Sequence, residues 1–502
     1  MTVQFIEPDR ADPRLAVERR YTMLVGGRSV AAASGRTIRR ESPVHPGLVV
    51  GEFPDASAED VERAILAARR AFDEGPWPRL SGKERAAYLY KISQAIRDHA
   101  EELALIESLE VGKTLAGARS EMNNCADLWQ FAAGLVRGLE GSTHNALSEH
   151  ALGLVLREPI GVVGVVTPWN YPLVIASERL PWALGAGCTI VLKPSEFTSG
   201  SSLRLGELAR DAGLPDGVVN VVSGYGNPAG QILAEHPATD MVAFTGSQRV
   251  GRQIGAFAAP TIKRVGLELG GKGPVVVFAD ADLEAAANQV SRSIFSNQGQ
   301  TCIAGSRLIV ERRVAHEFVQ RLEGLANRVT VGDPLNPDTK VGAFINPVQL
   351  GKVESYVRAG REAGARIVVG GERIGTNGGL FYQPTIFTDV RPDMSIVRDE
   401  IFGPVLAVQQ FDTREEAIGI ANDTIYGLSA VVWSLNIDNA LQTIRGIRAS
   451  RCGINGQEGA AEMPIGGYKQ SGQGRELGHR GFDEYSEFKN IHINMAPSRA
   501  WL

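Results

Sequence analysis

Cysteine is scarce, with four in 502 residues, at positions 125, 188, 302 and 452. None sits in a CxxC pair, and no histidine stands beside one at zinc-ligand spacing. A disulfide framework and a metal site are therefore not expected, and a reducing compartment is. Charge of one sign is also lacking. Fifty-two basic residues against 57 acidic ones leave a net charge of −5, with both signs interspersed. No basic face is implied, so neither nucleic acid nor an anionic membrane is an expected partner. Long hydrophobic runs are missing too. The most apolar stretch, 160–192, is broken by Pro168, Asn170, Pro172, Glu178 and Pro181, whereas a membrane span needs about 20 mostly apolar residues in succession. The N-terminal MTVQFIEPDRADPRLAVERR lacks the apolar core of a secretory signal, which makes the cytoplasm the default location. Repeats, low-complexity tracts and long Pro/Ser linkers are absent as well.

What is present is ordinary globular composition, 43% apolar and 22% charged. At roughly 150 residues per domain the length suggests about three structural units. Short β-branched runs alternate with helix-like segments, the pattern of an α/β protein with parallel sheet. Helical spacing of Val61, Ile65, Ala68 and Phe72 predicts a helix over 58–74, and two further helices are predicted over 84–110 and 118–139. GVVGVVTP (161–168), TIVLKP (189–194), GVVNVVSG (217–224) and DMVAFTGS (240–247) each run from buried strand into turn. Four such strands with helices between them describe a doubly wound sheet, whose ligands bind at the strands' carboxyl ends. A second α/β unit begins near Gly271 with PVVVF and continues through strands near 307–310, 366–369, 405–411 and 428–433. Residues 141–157 and the C-terminal EFKNIHINM alternate in polarity, as strands pairing outside the two main sheets would.

Chemistry is sought in the turns. Cys302 lies in NQGQTCIAG (297–305), between an apolar helix and a strand. A lone cysteine is more often a small core residue, but Gly299, Thr301 and Gly305 are poor core neighbours. A thiolate at such a turn is a strong nucleophile near neutral pH. Glu268, in RVGLELGGKGP, faces either solvent or a pocket. The following Gly270 and Gly271 favour close ligand approach, and an apolar cleft would raise its pKa as a general base requires. In the rigid turn TPWNYP (Thr167, Pro168, Trp169, Asn170), the Asn170 amide either donates to an oxyanion or shapes an Asx-turn. Lys193 and Glu196 in LKPSE could grip ribose hydroxyls or start a capped helix. Gly246, Ser247 and Gly251 in FTGSQRVG suit a pyrophosphate at a helix N-terminus. SGYGNPAG (223–230) is a near miss to GxGxxG and carries little. Glu400 in EIFGP offers a hydroxyl acceptor, and Phe402 an aromatic wall.

In this order these motifs closely resemble the aldehyde dehydrogenase superfamily, from about residue 20 to about residue 490, together with GLPDGVVNVVSG (213–224) and PIGGYKQSGQGRELG (464–478). The resemblance implies an NAD(P)-dependent oxidoreductase. Its fold would comprise a Rossmann-like cofactor domain (1–140 and 159–270), an α/β catalytic domain (271–470) and a small β oligomerisation arm (141–158 and 485–502). It further implies Cys302 as nucleophile, Glu268 as general base and Asn170 as oxyanion donor. Thr167, Pro168, Trp169, Lys193, Glu196, Gly246, Ser247, Gly270, Glu400 and Phe402 would hold the cofactor. The aldehyde would pass through a Cys302 thiohemiacetal and thioester to the free acid. Glu268, which relatives that transfer the acyl group to coenzyme A lack, argues for hydrolysis. A non-catalytic relative is disfavoured because Cys302 and Glu268 are both present. Glu196 favours NAD over NADP, although some relatives with this glutamate use NADP. The arm implies a homodimer or homotetramer. The substrate tunnel departs from common members. Asn124 and Asp127 stand on the tunnel helix, Glu178 precedes Arg179 where an aromatic is frequent, and Thr301, Ile303, Gln457 and Glu458 complete the wall. These residues point to a polar or cationic aldehyde, such as an aminoaldehyde or betaine aldehyde. A semialdehyde or hydroxyaldehyde fits the same residues, and so would Glu178, Asp127 and Glu458 merely facing solvent or pairing with Arg179.

Overall fold

Runs of β-branched residues become strands buried on both faces. Val162–Val166, Thr189–Lys193 and Met241–Thr245 are buried at every position, and each Val or Ile so buried contributes roughly 1.5–3 kcal/mol. The computed structural model describes residues 3–16, 18–375 and 378–496. Residues 497–502, at the end of the expected arm, lie outside the described residues.

Val162–Val166 pairs in parallel with Thr189–Lys193 on one side and with Met241–Thr245 on the other. The chain runs outward from Thr189–Lys193 to Val219–Val221, then returns to the other flank, where Met241–Thr245 pairs in parallel with Arg264–Glu268. The strand order therefore reverses beside Val162–Val166, and the carboxyl ends of that strand and its neighbour form the switch point where such sheets bind ligands. Met23–Val25 and Arg28–Val30 extend one edge in antiparallel fashion, and Gly472–Gln473 closes the other against Arg264–Glu268. The second sheet is built around Pro274–Val277, flanked in parallel by Arg307–Glu311 and Ser429–Trp433. It takes in Thr385–Thr388 and Arg451–Ile454, neither of which the sequence reading anticipated. The two units exchange short strands, since Gln4–Ile6 pairs with Thr330–Gly332.

The segment expected as one helix over 84–110 is two, Gly82–Asp98 and Ala100–Val111. His99 joins them at φ −107° and ψ 16°, outside the helical range. A break at one residue leaves the apolar spacing on either side intact, so periodicity does not register it. Gly112 stops the second helix at φ +87°, where an added Cβ would stand 2.6 Å from the Ala343 carbonyl oxygen. Thr114 caps the next helix, Leu115–Val136, which packs Met122, Cys125 and Trp129 inward. Ser142–Ser148, Ala151–Pro159 and Ser486–Asn494 form a separate three-stranded antiparallel sheet. No helix among the described residues is long and apolar enough to cross a membrane.

Candidate active site

Two sheet edges meet at the site. Arg264–Glu268 ends at the carboxyl edge of the first sheet, and Pro274–Val277 begins at the amino edge of the second. The link between them is LGGKG, and Cys302 lies on the loop that enters the second sheet at Arg307. The glycines are needed for contact. A Cβ on Gly271 would stand 2.4 Å from the Cys302 carbonyl oxygen, and one on Gly270 would stand 2.1 Å from Glu400 Oε2. The Gly271 N–H donates to Glu400 Oε1 at 3.0 Å. Before Cys302 the chain takes three left-handed residues in a row, Asn297 (φ +49°), Gln298 (φ +57°) and Gly299 (φ +67°). Such geometry in two non-glycine residues is rare and is held here by tertiary contacts. The Asn297 side chain donates to the Asn170 carbonyl at 3.2 Å, and buried Asn170 donates from Nδ2 to the Gln300 carbonyl at 3.0 Å. Asn170 thereby ties the TPWNYP turn to the cysteine loop, more than an Asx-turn of its own would require.

Cys302 and Glu268 line one cavity of about 660 Å³. Asn124, Glu178, Thr301, Ile303, Gln457 and Glu458 line it too. Asp127 does not. Its side chain is exposed and pairs with Arg97 at 2.5 Å, because it lies on the outer face of Leu115–Val136. Arg179 does not neutralise Glu178 by ion pairing; it is buried against Glu476, with Nε 3.1 Å from the carboxylate. The cavity lining that went unassigned from sequence includes Arg451, Cys452 and Glu476. Arg451 and Cys452 lie outside any motif and gave no signal, whereas Glu476 stood in plain view in GQGRELG. Tyr171, which follows Asn170 in the TPWNYP turn, is the aromatic of the cavity wall among the described residues. Its hydroxyl is 2.9 Å from Thr301 Oγ1, and the buried Lys113 ammonium sits 4.4 Å over its ring.

Burial works against the expected thiolate. Cys302 is half-buried, and desolvation pushes its thiol up to about 12, with Glu400, Glu178 and Glu268 adding to the rise and Arg451 opposing it. A turn confers acidity through positive charge or free N–H groups, and here carboxylates outnumber cations. Desolvation also holds the Glu268 carboxyl well above the usual range, reinforced by Glu476 and opposed by Arg179. Its Oε1 is buried with no hydrogen-bond partner among the described residues. Glu178 is raised to about 7 by burial, against the pull of Arg451.

On the other side of Cys302 lie the cofactor candidates. Thr167, Pro168 and Trp169 follow Val162–Val166, and Gly246 and Ser247 follow Met241–Thr245, so both groups occupy the switch point. Ser247 caps the helix Gln248–Ala258, accepting from the Val250 N–H at 3.4 Å. The capping leaves other first-turn N–H groups for an anion. Lys193 is buried at its strand end, donates to the Pro194 carbonyl at 2.9 Å, and stands 4.0 Å from Glu196. Trp169 and Phe402 meet edge to face at 5.3 Å, with Phe402 in the left-handed region at φ +60°. A glycine-lined anion site at a helix start, an amine beside a carboxylate and an aromatic pair near Glu400 together fit a dinucleotide.

The comparisons with known proteins agree. The model of the aldehyde dehydrogenase family matches residues 30–491, and the chain belongs to that family. A solved NAD-dependent aldehyde dehydrogenase from Sinorhizobium meliloti superposes with a TM-score of 0.98 at 60% identity, over 99% of each chain. Betaine aldehyde dehydrogenase of Bacillus subtilis (strain 168) is 43% identical over 453 residues, 89% of this chain and 92% of that protein. Betaine aldehyde dehydrogenase from Staphylococcus aureus, solved in complex with NAD+, superposes with a TM-score of 0.94 at 37% identity, over 96% of this chain and 97% of its own.

Proposed function

We propose that this enzyme oxidises an aldehyde with a polar or cationic tail to its carboxylic acid, with NAD as oxidant and Cys302 as nucleophile. The observation that carries the reading is the placement of Cys302 and Glu268 on one cavity at the seam between two sheets, beside the switch point. Bound at that switch point, NAD supplies the hydride acceptor. The chain's own residues supply the rest. The Cys302 sulfur adds to the carbonyl carbon as its proton passes to the Glu268 carboxylate on the same cavity, which releases it to water before the thioester is cleaved. The second Asn170 Nδ2–H and the Cys302 N–H serve the oxyanion. Glu268, desolvated and with its Oε1 unpartnered among the described residues, takes the proton of the water that cleaves the Cys302 thioester. Lys193 and Glu196 hold one ribose, Glu400 the other, and Gly246 and Ser247 the pyrophosphate, while Trp169 and Phe402 wall the nicotinamide end.

Positive charge on the substrate is supported by Glu178 and Glu458 in the cavity wall, and by relatives whose named substrate is betaine aldehyde. Residues 1–140 with 159–270 form the cofactor unit, 271–470 the catalytic unit, and 141–158 with 485–502 an arm that joins protomers of a homodimer or homotetramer in the cytoplasm. Cell fractionation that recovers the protein with membranes would contradict that location. Cys302→Ala should abolish both steady-state turnover and the pre-steady-state burst of NADH. Normal turnover in this variant would remove the reading. The same assay run with NADP should give a lower kcat/KM, because the Glu196 carboxylate repels a 2′-phosphate; a higher one would reverse the cofactor assignment.

A further inference from the structure

Glu178 and Arg451 both line the cavity, and among the described residues neither side chain makes a hydrogen bond or an ion pair. They are near enough for the Arg451 charge to act on Glu178 and on the Cys302 thiol. Of the other charged groups of the wall, Glu268 is the base of the proposed reaction. Arg179 is taken by Glu476, and Glu458 is exposed at the rim.

Arg451 is held in place without being neutralised. Its N–H donates to the Leu428 carbonyl at 2.9 Å, and its own carbonyl accepts from Gln457 Nε2 at 2.8 Å. Its Nη2 lies against Gly459, within 3.2 Å of where a Cβ there would stand. These hydrogen bonds anchor the Arg451 backbone, and its guanidinium, with no acceptor among the described residues, is an unmet fork for a carboxylate, which it matches with two parallel hydrogen bonds. Glu178 offers the complementary acceptor for an ammonium. An aromatic box for a quaternary ammonium is missing from the wall: Tyr171 is its aromatic among the described residues, and that ring already carries the Lys113 ammonium.

We propose that Glu178 and Arg451 are paired specificity-determining residues that select an aldehyde whose tail carries both an ammonium and a carboxylate, as an ω-oxo α-amino acid does. The inference rests on the aldehyde-oxidising reading above and narrows its substrate class. An ammonium alone is opposed by Arg451, and a carboxylate alone by Glu178. A zwitterionic tail satisfies both.

The test compares kcat/KM for heptanal, 7-aminoheptanal, 8-oxooctanoate and 2-amino-8-oxooctanoate, matched in length and long enough to resist closing on their own amines. The unaltered enzyme should favour the zwitterion at least tenfold over either singly charged aldehyde. Arg451→Gln should cut the zwitterion to 7-aminoheptanal ratio at least tenfold. Glu178→Gln should cut the zwitterion to 8-oxooctanoate ratio similarly, and Arg451→Lys should keep most of the preference. Thermal unfolding checks that each variant is folded. A preference for 7-aminoheptanal or heptanal in the unaltered enzyme overturns the proposal. Variants that lower all four substrates by one factor do so too, since that is the mark of a merely structural role. Absence of NADH from every aldehyde would instead sink the parent reading, and the inference with it.

Discussion

At the residue scale the site is a balance of burial against charge. Cys302 and Glu268 are both desolvated, and both are raised in pKa. A carboxyl held high is protonated at lower pH and cannot accept a proton from water, so thioester hydrolysis should accelerate as pH rises and Glu268 ionises. Glu268→Gln should slow steady-state turnover by roughly 10²–10⁴, the range for a lost general base, and should flatten the pH dependence of deacylation measured after the burst. A variant with an unchanged neutral-pH rate would show that another group activates the water. Cys302, Glu268 and Asn170 were legible in the sequence because each sits where small or rigid residues make a core role implausible. The charge that acts on Glu178 and the ion-pair partner of Arg179 were not legible. Arg451 and Glu476 lie 273 and 297 positions beyond them in the chain (451 − 178 and 476 − 179), and sheet packing alone brings them near. Asp127 was misread for the opposite reason, since three residues along a helix from Asn124 still left its side chain on the outer face.

At the scale of elements, the glycine link between the sheets fixes the cysteine loop. Gly271→Ala would drive a Cβ to 2.4 Å from the Cys302 carbonyl oxygen, and backbone cannot yield there as a flexible side chain would. A displacement near 1 Å at a reacting group costs up to about 10²-fold, and a loss of that order in kcat is expected, with NAD binding retained. Titrating the Cys302 thiol with iodoacetamide in the same samples checks that the loss follows from misplacement of the sulfur. A kcat within twofold of the unaltered enzyme would mean that the loop position is set elsewhere. Strands made of Val and Ile runs were readable from composition. Arg451–Ile454, reading RCGI, was not, because its register comes from pairing with Ser429–Trp433 and not from its own propensity.

At the scale of the whole molecule, the three-stranded sheet is the part a monomer leaves unfinished. Among the described residues both of its outer strands have a bare edge, and Leu147, Leu156, Phe488 and Ile493 are exposed on it. Sedimentation should therefore report a dimer or tetramer of the 53.9 kDa chain, and a stable monomer at micromolar concentration would count against the arm. The alternating segments announced this sheet in the sequence. What the sequence left hidden was the exchange of Gln4–Ile6 and Gly472–Gln473 between the two larger units, since strands of two or three residues carry no periodicity.

The central claim is that the aldehyde carbon becomes bonded to Cys302 and is released by water activated at Glu268. The most direct measurement is to mix Glu268→Gln with NAD and an aldehyde, quench in acid within the first turnovers, and determine the mass of the peptide containing Cys302. The account predicts an acyl adduct on Cys302 near one per site, formed together with one equivalent of NADH. A burst of NADH with unmodified Cys302, or an adduct on Cys452 in its place, would contradict it.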